Sequence, residues 1–181
     1  MKKVILVLLV LVVVSGSAFA IDILSFPPPL GSGAIMIDLG IGLRYIDWGT
    51  IGTKMQVPPL WFQAEYALPV GVPISVGGGF AFTRRVGRWD DDFSLTYITP
   101  HLRANWHWGF PVSWLDFYTG LGVGFDIVNA NYGDYSVSDS DFFWGIQAGA
   151  HFYFNRVIGV MAETGFPFYL KAGVALKFGG N

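Results

Sequence analysis

No cysteine occurs in the 181 residues. A disulfide framework, a thiolate metal site and a lipid-bearing terminal cysteine are thereby excluded. Charge is scarce as well: 13% of residues are Asp, Glu, Lys or Arg, against 52% hydrophobic and 17% aromatic. Ordinary domains carry about 25% charged residues. Basic residues are the minority among those few, so the footprint of a nucleic-acid-binding surface is missing and no nucleic acid is expected as a partner. Beyond the first twenty residues there is also no apolar run approaching the roughly 20 residues a membrane-spanning helix needs. The composition is too apolar for an ordinary soluble domain, and no helix explains it.

The one continuous apolar run, residues 4–14, follows Lys2 and Lys3 and precedes Ser15-Gly16-Ser17-Ala18-Phe19-Ala20. A basic start, a short apolar centre and an Ala-x-Ala end make a secretory leader over residues 1–20, expected to be cleaved after Ala20. Eleven residues are too few for an anchor. The remaining 161 residues hold nine basic and thirteen acidic side chains, a net charge of −4.

What the sequence does have is alternation. In residues 115–127, LDFYTGLGVGFDI, Leu115, Phe117, Leu121, Val123, Phe125 and Ile127 form one row, and Asp116, Tyr118, Gly120, Gly122, Gly124 and Asp126 form the other. Period 2 over thirteen residues is a strand with two different faces. Glycine packs nothing and marks close approach. A water-facing surface has room for larger residues and gains nothing from three glycines. A narrow closed barrel has no such room, so the glycine face reads as a crowded polar lumen and the Leu/Phe/Val face as lipid-facing.

The pattern recurs. Residues 21–33, with three consecutive prolines, read as an extended lead-in with no assigned function. Strands follow at 34–48, 60–68, 74–83, 93–108, 115–127, 141–154, 157–165 and 168–178. Polar connections at 49–59, 84–92 and 128–140 read as external loops, and the short ones as periplasmic turns, with Phe166-Pro167 an unusually short external turn. The strand at 93–108 changes phase, which predicts a bulge near Tyr97-Ile98 or an upper part above the membrane. Phe168 takes the outward row of the last strand. The fold class is therefore all-β: an eight-stranded antiparallel up-and-down transmembrane barrel over residues 34–178, with residues 179–181 a short tail.

Reversing the faces would put several charges against lipid at about 2–4 kcal/mol for each Arg or Lys at the midplane. Aromatic residues fall in two belts, as interfaces select. Tyr45, Trp48, Phe82, Phe125, Phe142 and Trp144 lie toward one end, and Tyr66, Trp106, Trp114, Phe117, Phe154 and Phe178 toward the other.

Signal peptide, eight alternating strands and the final FYLKAGVALKF together resemble the small outer-membrane barrels of the OmpA-barrel, OmpX and OmpW type, over residues 33–178. The resemblance implies residence in the outer membrane, contact with its lipid, and recognition of the last strand, ending in aromatic Phe178, by the outer-membrane assembly machinery. The chain departs from that pattern by continuing through Gly179-Gly180-Asn181.

The lumen row carries Asp38, Glu65, Asp116, Asp126 and Glu163 against Arg44, Arg103, Lys171 and Lys177. Strand position puts Arg44, Asp126, Glu163 and Lys171 toward the outer end and Glu65, Arg103, Asp116 and Lys177 toward the periplasmic end. These charges could line an ion path. The expectation is a mutually paired network filling an interior just wide enough for side chains. His101, His107 and His151 share the lumen phase in the lower half without metal-ligand spacing, so no metal and no cofactor are expected. A lipid-modifying barrel enzyme, the third reading, needs a Ser/His or Asp/His set at the outer rim, where no histidine falls, so no catalytic residue is assigned. Arg84, Arg85 and Arg88 in RRVGRWDDD could meet lipopolysaccharide phosphates, offset by three adjacent aspartates. A structural or surface-interaction role follows, with a narrow OmpW-like conduit for small apolar molecules as the alternative. A soluble lipocalin-type barrel is the rival fold.

Overall fold

The computed structural model describes residues 30–43, 52–89, 92–109 and 112–180. Eight strands run in chain order: β1 Ile35–Leu43, β2 Thr53–Ala67, β3 Ile74–Gly87, β4 Phe93–Trp108, β5 Leu115–Tyr132, β6 Tyr135–Tyr153, β7 Ile158–Gly165 and β8 Leu170–Phe178. Each pairs antiparallel with the next, and β8 pairs with β1 to close the barrel.

Closure gives the alternation its meaning. Outward side chains stand free: Leu102 is 66% exposed, Leu121 61% and Trp144 72%. Inward ones are sealed: Asp38, His107 and Asp116 are 0% exposed. The inner glycines sit where neighbours already fill the space. A β-carbon on Gly122 would lie 2.3 Å from the Phe166 ring, and one on Gly149 would lie 2.5 Å from that of Tyr118.

The lower end carries residues 30–34 and 178–180. Leu30, Ala34, Met36 and Ala67 form a small buried cluster there, so the last part of the lead-in helps close that end. The upper end carries the connections after β5 and β7.

Three expectations about the upper end are corrected. Residues 128–140 are a tall β5–β6 hairpin, joined by only Gly133 and Asp134, with Gly133 at φ 54°. β3 continues through Arg84 and Arg85, and β2 starts at Thr53. The polar stretches read as loops because the apolar outward row of the lower strands gives way to polar residues such as Asn129, Asn131, Ser136, Ser138 and Ser140, which removes its contrast with a polar inward row. Strand pairing persists without that contrast.

β4 has no bulge at Tyr97-Ile98, since its register with β3 is unbroken from Ile74↔Trp106 to Val86↔Ser94. Leu95 and Tyr97 point inward and are buried. On β4 apolar side chains thus move to the inward row, and the hydrophobic phase switches without any shift of the backbone. Irregular register appears instead in β2, between Met55 and Val57 and between Val57 and Leu60, beside Pro58 and Pro59. Proline has no N–H to give a ladder.

The last correction concerns Phe168. β8 begins at Leu170, so Phe168 lies in the connection and escapes the strand's phase. Phe168 (3% exposed) and Phe166 (4%) both turn into the barrel.

Candidate functional site

All eight strands send at least one polar side chain into a single buried cluster. At its centre Arg103 of β4 donates from Nη1 to Gln63 Oε1 at 2.7 Å and from Nη2 to Glu163 Oε2 at 2.5 Å. Its Nε makes an ion pair with Glu65 Oε1 at 3.0 Å. Glu163 also receives the Tyr118 hydroxyl at 2.6 Å and pairs with Lys171. Lys171 Nζ sits 5.2 Å over the ring of Trp61, whose Nε1 donates to Ile41 O at 3.0 Å.

The contacts form a closed circuit. From Glu65, Ser75 Oγ donates at 2.6 Å, and Ser75 Oγ lies 2.9 Å from His107 Nε2. His107 Nδ1 is 3.0 Å from Asp116, which His151 Nδ1 approaches at 3.3 Å. His151 Nε2 lies 3.3 Å from Asp38, to which Gln63 Nε2 donates at 2.8 Å, and Gln63 returns the path to Arg103. Asn105 donates to Glu65 and accepts from Gln147, both at 2.8 Å. A buried ion pair is stable only when hydrogen bonds satisfy what remains of its charge, and here neutral side chains supply them.

Ser75, His107 and Asp116 stand in the order of a hydrolytic triad, and hydrogen-bond accounting decides against that use. The single Ser75 hydroxyl proton goes to Glu65. Ser75 thus has no hydroxyl proton left to offer His107 Nε2, 2.9 Å away. A histidine that does not receive the hydroxyl proton of its neighbouring serine cannot activate it as a nucleophile. All three residues are 0% exposed. The line Ser75–His107–Asp116 is part of the scaffold.

Above the circuit, the β7–β8 connection packs the upper interior. Phe166 stacks on Phe143 with centroids 4.9 Å apart and meets His101 edge-on at 5.7 Å. Gly122 and Gly145 provide the space. Gly122→Val is expected to destabilise the barrel by about 1–3 kcal/mol through overpacking. The cost should shrink in a Phe166→Ala background, as a double-mutant cycle in urea would show.

The sequence-predicted residues divide as follows. Asp38, Glu65, Arg103, Asp116, Glu163 and Lys171 meet in the cluster. Strand position alone had separated Glu163 and Lys171 from Arg103 and Glu65. Tilted strands put unlike positions at one level, and long side chains close the remainder. Asp126 lies outside the cluster, half-buried, accepting from Thr99 Oγ1 at 2.8 Å. Lys177 lies low, with Nζ 4.2 Å over the Tyr153 ring. Arg44, Tyr45 and Trp48 fall outside the described residues. His107 and His151 join the circuit. His101 instead sits beside the Phe166 plug at mid-barrel.

The aromatics Tyr66, Trp114, Phe125, Phe142, Trp144, Phe154 and Phe178 are exposed on the outer surface, and Phe82 and Trp106 are half-buried. Phe117 lies on the same surface. Arg84, Arg85 and Arg88 do not converge. Arg84 and Arg85 take opposite faces of β3, with Arg85 Nε donating to Thr53 Oγ1 at 2.8 Å, and Arg88 lies 5.9 Å over Trp89. Gln63, Ser75, Asn105, Tyr118 and Gln147 complete the network without charge. Their inward phase was the available signal. Phe166 and Phe168 gave none.

This fold, with apolar residues outside and a polar interior, is that of the small eight-stranded outer-membrane barrels. Ail, the attachment invasion locus protein of Yersinia pestis, superposes with a TM-score of 0.54 at 17% identity, over 81% of this chain and 99% of Ail. The N-terminal β-barrel domain of Pseudomonas aeruginosa OprF gives 0.50 at 15%, over 82% and 98%. Neisserial surface protein A gives 0.51 at 8%, over 80% and 94%. No protein-family model matches the chain, and no curated protein matches it in sequence.

Proposed function

We propose that the chain is an integral outer-membrane β-barrel with a structural and surface-directed role, exported by a leader removed after Ala20. The observation that carries this is the inversion of polarity between the two sides of one wall. Leu39, Ile41, Phe80, Leu102, Leu121, Trp144 and Ile146 project from the outer surface, while the charged circuit is sealed within. In water such a belt would cost about 1.5–3 kcal/mol per large side chain relative to an apolar medium. Lipid removes that cost. The interior acts as a rigid filler, and the upper rim is the part left to meet partners. The final strand, ending at exposed Phe178, is the segment offered to the assembly machinery.

The mature chain refolded in detergent should run differently on a gel when boiled and unboiled, with a β-type circular dichroism spectrum. A β-rich protein that stays monomeric in buffer without detergent would overturn the membrane reading. The filled cross-section gives no support to the conduit, so planar bilayers should show no steady conductance. Ail has been solved in complex with the heparin analogue sucrose octasulfate. A polysulfated sugar is accordingly a sensible first external probe, with exposed Arg84 and Arg88 as the cations to remove.

A further inference from the structure

The upper rim is uneven. β6 pairs with β5 from Phe152 up to Tyr135, but with β7 only from Tyr153 up to Gln147. Just above, Phe166 N donates to Ile146 O at 2.9 Å. Among the described residues, 135–145 of β6 thus have a partner strand on one side only.

Backbone groups alternate in direction along an antiparallel strand. Ile146 O points to the β7 side, so Ser136, Ser138, Ser140, Phe142 and Trp144 turn their N–H and C=O the same way. Ser140 N–H fits this direction, because it reaches the neighbouring Asp139 carboxylate at 2.9 Å and not β5. Proteins usually blunt such edges with proline, bulges or lysine. The upper part of β2 has all three: Pro58 and Pro59, two breaks of register, and Lys54. The β6 edge has none of them, and its register with β5 is unbroken to the hairpin turn.

Charge selects the occupant. Asp134, Asp139 and Asp141 are exposed on this hairpin, and no Lys or Arg occurs from residue 128 to 146. Two copies joined edge to edge would bring these acidic stretches together, which is unfavourable for facing strands. A cationic strand has no such obstacle.

We propose that the outer edge of β6, residues 136–142, docks an extended polypeptide segment bearing lysine or arginine, which adds to the rim sheet as a further strand. Backbone pairing supplies the attachment, and the aspartates select for positive side chains. The site rests on the reading that this rim stands clear of the membrane.

The test uses the mature chain in nanodiscs and a labelled peptide of roughly ten residues alternating Lys and Val, with a Glu/Val peptide as control. The Lys/Val peptide should bind, weaken with added salt, and show isotope-edited infrared bands of strand pairing, while the Glu/Val peptide should not bind. Ser138→Pro removes an edge-facing donor and leaves the β5 ladder intact, so affinity should fall at least tenfold. Asp139→Asn with Asp141→Asn should lower both affinity and its salt dependence, and this variant decides the matter should the proline prevent folding. Absent binding, equal binding of both peptides, affinity unchanged in the variants, or self-association through this edge in place of peptide binding would overturn the proposal. The boiled-against-unboiled mobility of each sample reports separately whether the barrel itself has formed, so a failure of the membrane reading is distinguishable from a failure of docking.

Discussion

Arg103→Met is expected to destabilise the barrel by about 3–5 kcal/mol, the usual cost of leaving a buried charge without its partner. One guanidinium serves Glu65, Glu163 and Gln63, and its removal leaves two buried carboxylates underserved. Lys171 can still hold Glu163, whereas Glu65 keeps only the uncharged donors Ser75 and Asn105 and the more distant Gln63. The measurement is urea unfolding in detergent followed by gel mobility. Arg103→Lys should fail nearly as badly, because an ammonium cannot reproduce the planar fork. Adding Glu163→Gln to Arg103→Met should recover part of the loss, since much of the cost is the unpaired charge and not the missing attraction. If Arg103→Met unfolds like the parent, the circuit does not hold the barrel, and the interior needs another account.

The second large effect is expected one rung from the glycine row, at Leu121. Its side chain projects outward midway along the exposed row of β5, from Phe117 to Phe125. Leu121→Arg should cost about 2–4 kcal/mol when the barrel is folded into lipid vesicles. On a water-facing surface the same substitution should fall within about 0.5 kcal/mol. Leu121→Ala, which introduces no charge, should be mild in both settings. Folded fraction in vesicles across a urea series separates these cases. A neutral effect of arginine would deny that this surface meets hydrocarbon, however well the protein folds.

These two positions also show what could be read from the chain alone. Leu121 and Gly122 belong to opposite rows of the same stretch, and period 2 assigns them to opposite sides of a wall. Three glycines among inward positions implied that the inside is crowded, and the Phe166 ring occupies the space a β-carbon on Gly122 would need, as the Asn105 and Gln147 side chains do at Gly120. The limit appears where the surroundings change. At Leu95 and Tyr97 apolar side chains take the inward row, so a regular strand imitates a bulge. In residues 128–140 the outward row becomes Asn129, Asn131, Ser136, Ser138 and Ser140, so a strand imitates a loop. Hydrophobic contrast reports the environment of a face, and it falls silent wherever two faces share one environment.

Residue identity and alternation alone determined the eight strands, the polar interior, the apolar exterior and six of the charges that meet inside, because each depends on neighbours two residues apart in one strand. The circuit, its closure through uncharged Gln63, Ser75 and Asn105, the inward turn of Phe166 and Phe168, and the open edge of β6 were decided by tertiary structure. They depend on strand tilt, on the differing heights of neighbouring strands and on the path of a four-residue connection. Those are relations between segments far apart in the chain, and no local period records them.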